Sequence, residues 1–131
     1  MDEAVMKGWL LLLAAIVLEL SGTVALKYSD GFSRLLPSIL MFVLYLLSFS
    51  ALNLAVKTID VSIAYAVWSG LGTLLISIVG FMWFQEHVTP FKILSIAIII
   101  VGVICLNLAN STASKTMETV DVGQDQQAET K

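Results

Sequence analysis

The sequence predicts an all-α membrane protein with four transmembrane helices, and three observations carry that prediction. Of its 131 residues, 58% are hydrophobic and only 13% charged, too few polar side chains to cover a soluble domain of this length. The apolar residues gather in four runs of about twenty, each long enough to cross a hydrocarbon core as a helix. The stretches between them, KYSDGFSRL, KTID and QEHVTP, are short, polar and rich in turn formers.

The first span, Gly8–Leu26, is too long for a signal-peptide core and has no A-x-A-like cleavage site behind it, so it reads as a retained helix. Span two, Pro37–Val56, and span four, Phe91–Ala109, open beside Pro37 and Pro90, and a first-turn proline costs no hydrogen bond. Span three is Val61–Phe84. Beyond Ala109 the composition turns abruptly polar, in NSTASKTMETVDVGQDQQAETK. The chain therefore divides into a four-helix domain, 1–110, and a tail, 111–131, predicted to be disordered. Four spans put both termini on one side of the membrane.

Net charge is −3, much of the acid lies in the tail, and no basic face suggests nucleic acid. A single cysteine, Cys105, forms no intrachain disulfide and reads as a small buried hydrophobe. Glu86 and His87 are neighbours in a loop, too few ligands for a metal site, and both read as solvated. Orientation follows the Lys/Arg bias of short loops. Here Lys7, Lys57 and Lys115 on one side balance Lys27, Arg34 and Lys92 on the other. The sequence thus predicts insertion in both orientations, and two opposed copies would form an inverted pair.

One residue breaks the apolar pattern. In LLLAAIVLELSGTVAL, Glu19 is the only acidic or basic residue well inside any span. Charge at mid-membrane is costly, and such residues normally face a cavity or the bundle interior. The acid is neutralised either by a proton or by a cation, not by both together, which is a minimal mechanism for exchange. Ala15, Ile16, Gly22 and Thr23 share its helical face and leave room beside it. The bland alternative is a glutamate serving only helix assembly.

Span three carries IAYAVWSGLG, where Tyr65, Trp68 and Gly72 share a face. Tyr65 offers a hydrogen bond to Glu19, and Trp68 offers a π face to an organic cation; ordinary interfacial anchoring is the other reading. Trp9, Tyr28 and Trp83 lie at span ends and fit that anchoring role. Gly70 and Gly72 either let helix three bend or let a neighbour approach closely. On span two, Met41, Tyr45, Ser48, Phe49 and Leu52 form one stripe, readable as a pocket lining or as packing. Span four is nearly all Ile, Val and Leu, except Ser95, Gly102 and Ala109 at seven-residue spacing, the signature of a close helix–helix seam. At 1.5 Å rise per residue, Glu19 lies about 18 Å from the Lys7 end and Trp68 about 12 Å from it. In an inverted copy across roughly 30 Å, Trp68 would be level with Glu19.

LELSGT, LKYSDGF, IAYAVWSGLG and GVICLNL together resemble the small multidrug resistance family of four-helix proton-coupled exporters, over about Trp9 to Leu108. The resemblance implies that Glu19 is the shared proton and substrate site and that Tyr65 and Trp68 are the aromatic binding pair. It makes Tyr45, Ser48, Ala15, Ile16, Gly22 and Thr23 pocket positions. It further implies an antiparallel dimer, with helix four as seam, in a bacterial cytoplasmic membrane, with small organic cations and protons as partners and no cofactor. Guanidinium exporters of the family carry tryptophan three residues after the glutamate. Gly22 stands there in this chain, which, with Thr23 and Tyr45, resembles the branch exporting quaternary ammonium and aromatic cations. The long tail is a feature of some paired members, including polyamine exporters, so a paralogous second subunit is the alternative to a homodimer. No nucleophile–base pair in the spans suggests an enzyme.

Overall fold

A computed structural model of the chain describes residues 2–129. It contains four helices: α1 Glu3–Tyr28, α2 Leu35–Ala55, α3 Val61–Met82 and α4 Pro90–Glu129. All four are long and apolar enough to cross a membrane. They run up and down. Gly8 meets Thr58 at one end, where Asn110 Nδ2 also donates to Asp60 Oδ2 at 2.7 Å. At the other end Lys27 meets Glu86.

Lipid tails are as apolar as leucine, so close packing, not hydrophobicity, selects which helix faces meet. A heptad of small residues, Gly8, Ala15 and Gly22 on α1 and Ser29 at its end, is buried throughout, with Ala15 and Gly22 against α2 and Gly8 against the α2–α3 connection. A Cβ on Gly8 would overlap the Thr58 hydroxyl, and one on Gly22 would lie 2.6 Å from the Tyr45 ring. At Ala15 the close approach brings a hydrogen bond: the fully buried Ser48 hydroxyl donates to the Ala15 carbonyl at 2.7 Å. The core then continues through Leu12, Ile16, Leu52, Ala55, Ile59, Ile63 and Ala64. These residues occupy the half of the bundle nearest the α2–α3 connection. Trp9, expected at the interface, packs against the side of this core.

The opposite half is tied by side chains. Trp83 Nε1 donates to Tyr28 Oη at 2.9 Å, and Lys27 Nζ lies 4.1 Å from the centre of the Phe84 ring. Glu86 pairs with Lys27 at 3.0 Å and with Lys92 at 3.7 Å. Glu86 is exposed, as the sequence reading has it, and its ion pairs also fasten the α3–α4 loop to the end of α1. The Lys27 hydrogen bond, then the Lys27 charge, hold its carboxyl below the ordinary value against an opposing desolvation, with Lys92 adding a lesser lowering effect. Gly80 makes room, since a Cβ there would lie 2.7 Å from Glu86 Oε2. Ser29 closes α1, its backbone N–H donating to Ala25 and Leu26, and Gly31 follows at φ +65°, a conformation glycine adopts without strain. Thr89 caps α4 by accepting the Lys92 backbone N–H at 3.2 Å, with Pro90 in the first helical position.

α4 packs on α3, with Gly70 facing Ile99 and Val103. It differs from the sequence expectation in length. Residues 111–129 continue the helix where disorder was predicted; Thr130 and Lys131 lie outside the described residues. Extending an existing helix needs no new nucleus, and no proline follows Pro90. The Ser111, Thr112 and Thr116 hydroxyls bond back to carbonyls one turn earlier. Residues 111–124 are exposed throughout.

Candidate functional site

Glu19 lies in the last third of α1, half-buried, above the tightly packed core. Its neighbourhood follows from the small-residue heptad. Gly22 lets the Tyr45 ring of α2 lie flat on α1, and this contact brings the Tyr45 hydroxyl to Thr23 Oγ1, 3.0 Å away. Thr23, one turn after Glu19, donates to Glu19 Oε1 at 2.9 Å. A threonine hydroxyl has one proton to give and two lone pairs. With that proton on Glu19, Tyr45 is the donor to Thr23, and the three residues form a directed chain ending on the acid.

The other carboxylate oxygen accepts no hydrogen bond among the described residues. A Cβ built on Gly72 of α3 would lie 4.0 Å from Glu19 Oε2 and meets no other neighbour within that distance. Among the described residues no lysine or arginine forms a salt bridge with Glu19. One oxygen is thus held by Thr23 while the other, beside Gly72, takes no hydrogen bond or ion pair among the described residues, an arrangement suited to accepting a proton or a cation.

The aromatic residues of α3 form a second group. Trp68 meets the edges of Tyr65 and Phe49, with ring centroids 5.4 and 5.6 Å apart, both near perpendicular. Trp68 precedes Gly72 by one helical turn, so it stands about 6 Å along α3 from the level of Glu19. Tyr65 is half-exposed. The sequence reading offers Tyr65 as a hydrogen-bond donor to Glu19; the donor in the structure is Thr23. Phe49 completes the aromatic group and was legible only as a member of the α2 stripe.

Other expected pocket positions fall elsewhere. Ala15 and Ile16 are fully buried, and the Ser48 hydroxyl is engaged by the Ala15 carbonyl, so these three join α1 to α2 and line no open space in this conformation. α3 is helical without a break from Val61 to Met82, through Gly70 and Gly72. A Cβ on Gly70 would lie 2.8 Å from Val103 Cγ2, which makes it the close-approach point for α4. Ser95, Gly102 and Ala109 run along α4 away from Val103; Gly102 and Ala109 are exposed, and a Cβ on Gly102 would meet nothing within 4 Å. A cavity of about 340 Å³ leads from Thr23 past Leu26, Ser77 and Phe84 to the Lys27–Glu86 pair.

Residues 7–99 match the family described as Small Multidrug Resistance protein. The chain is 51% identical over 106 residues to the uncharacterized membrane protein YvaE of Bacillus subtilis, covering 81% of this chain and 89% of that one. It is 39% identical over 109 residues to the quaternary ammonium compound-resistance protein QacE of Escherichia coli, 83% and 99% of the two chains. A guanidinium exporter of Salmonella typhimurium is 41% identical over 102 residues, 78% and 97% of the two chains. With four membrane-length helices, Glu19 deep within the first and matches of this extent, the chain belongs to the small multidrug resistance family.

Proposed function

We propose that the protein is a proton-coupled antiporter that exports lipophilic or quaternary ammonium cations across a bacterial cytoplasmic membrane. The observation that carries this reading is Glu19, with one oxygen held by Thr23 and the other free beside Gly72. A proton and a cation compete for that free oxygen, so each displaces the other. Trp68 supplies an aromatic face one turn away, and the Tyr45–Thr23 chain keeps the acid oriented whichever occupant it holds. Ala15, Ile16 and Ser48 act by fixing α1 against α2 beneath the site, and Gly22 by letting Tyr45 approach above it.

The working unit in this proposal is an antiparallel dimer joined along Ser95, Gly102 and Ala109 of α4. The balanced Lys/Arg count of the two ends supports opposed insertion. The exposure of α4, whose most apolar stretch has no buried residue in the single chain, supports a partner there. A polyamine or guanidinium exporter, paired with a paralogous subunit, is the second reading, favoured by the relative named as a guanidinium exporter. The Tyr45 ring against Gly22 speaks for the first, because an indole at position 22 and this ring could not share that space.

The test is transport by purified, reconstituted protein under an imposed pH gradient, screened across quaternary ammonium, guanidinium and polyamine cations. Cation binding in weak buffer should release protons. Glu19→Gln should abolish both exchange and proton release while the helices still assemble. A Glu19→Gln protein that still exchanges cations for protons overturns the mechanism.

A further inference from the structure

We propose that Gly72 is a specificity-determining residue: the hydrogen in place of a side chain sets how bulky a cation can approach the free oxygen of Glu19. This inference rests on the export reading above and assigns to α3 a role in choosing among substrates. Two glycines stand two residues apart in SGLG, and their surroundings differ. Gly70 is pressed against Val103, where a Cβ would come within 2.8 Å. Gly72 faces no packed atom; the one neighbour of its missing Cβ is Glu19 Oε2 at 4.0 Å. Gly70 is therefore explained by helix packing and Gly72 is not.

Chemistry fixes what the space is for. Oε1 is occupied by the Thr23 hydroxyl at 2.9 Å, so an incoming cation pairs through Oε2, on the Gly72 side. A tetra-substituted ammonium carries its charge inside a shell of alkyl groups. One of those groups must lie against the carboxylate oxygen, in the volume a side chain at position 72 would share. A proton needs none of that volume, and a small cation needs little. A methyl at position 72 thus acts as a size filter and leaves protonation of the acid untouched.

The experiment measures dissociation constants of tetramethyl-, tetraethyl-, tetrapropyl- and tetrabutylammonium for wild type, Gly72→Ala and Gly70→Ala in detergent or lipid. Alanine is the better helix former, and its methyl at 4.0 Å would be an ordinary contact, so Gly72→Ala should fold. The expected result is graded: about tenfold or greater weakening for the largest cations and less than about threefold for tetramethylammonium. Proton release by the small cation should persist. Gly70→Ala should act on α3–α4 packing and shift the whole series alike. An unchanged or uniformly shifted series in Gly72→Ala overturns the assignment, as does failure of that variant to fold, since position 72 would then be a packing site. Those results leave the export reading standing if Glu19→Gln still abolishes binding. Wild type that binds no member of the series removes both.

Discussion

Replacing Gly22 with alanine tests the contact on which the site is built. The added methyl would lie 2.6 Å from both Cδ1 and Cε1 of Tyr45, against an ordinary carbon–carbon separation of about 3.5–4.0 Å. The ring must retreat by about 1 Å to restore that separation. Its hydroxyl sits 3.0 Å from Thr23 Oγ1, so the same retreat carries it out of hydrogen-bonding range. Overpacking costs about 1–3 kcal/mol and an interhelical hydrogen bond in a membrane protein about 0.6–1.7 kcal/mol. Alanine returns at most about 1 kcal/mol through helix propensity. The net expectation is a loss of about 1–4 kcal/mol, read by unfolding in mixed micelles as a denaturing detergent is titrated in. A double-mutant cycle isolates the cause: Tyr45→Leu removes the ring, so Gly22→Ala should cost far less in that background. Effects that add to within about 0.5 kcal/mol would refute the reasoning, because the two residues would then not be in contact.

Replacing Trp68 with leucine keeps bulk but removes the π face, worth about 0.5–2 kcal/mol per cation contact. The dissociation constant of a tetra-substituted ammonium ion should rise several-fold in a folded protein, and an unchanged value would leave Trp68 a packing residue. Glu86 titrates below the ordinary carboxylate range because Lys27 and Lys92 stabilise its anion. A depressed folded-state value stabilises the fold above the ordinary value, and that contribution disappears as pH falls through the lowered one. Glu86→Gln should therefore lower the Tm near neutral pH, and the gap to wild type should narrow as pH falls below the ordinary carboxylate value; a gap that does not change with pH would place the effect outside the ion pairs. Tags on the C-terminus should be accessible from both membrane faces, and two or three lysines added to the Lys57–Asp60 connection should fix most copies in one orientation. A single orientation in the unmodified protein would argue for an oppositely oriented partner subunit.

Hydropathy alone determined the number of spans, their approximate limits and the isolation of Glu19, because crossing a bilayer imposes a one-dimensional rule on composition. Helical periodicity determined which residues share a face: Glu19 with Thr23, and Tyr65 with Trp68 and Gly72. Periodicity does not say which face meets which neighbour, and lipid removes the usual clue, since a buried and a lipid-facing leucine are equally apolar. The same heptad of small residues therefore carries different meanings on two helices. On α1 it packs Gly8, Ala15, Gly22 and Ser29 within the chain, while on α4 Gly102 and Ala109 stay exposed. Tertiary structure alone separated Gly70, pressed on α4, from Gly72, open beside the acid. It likewise gave the Glu19 hydrogen bond to Thr23 and joined Glu86 to Lys27 across 59 residues. Each of these depends on where two helices come within a few ångströms, and that distance is set by how close the small residues between them allow two backbones to approach.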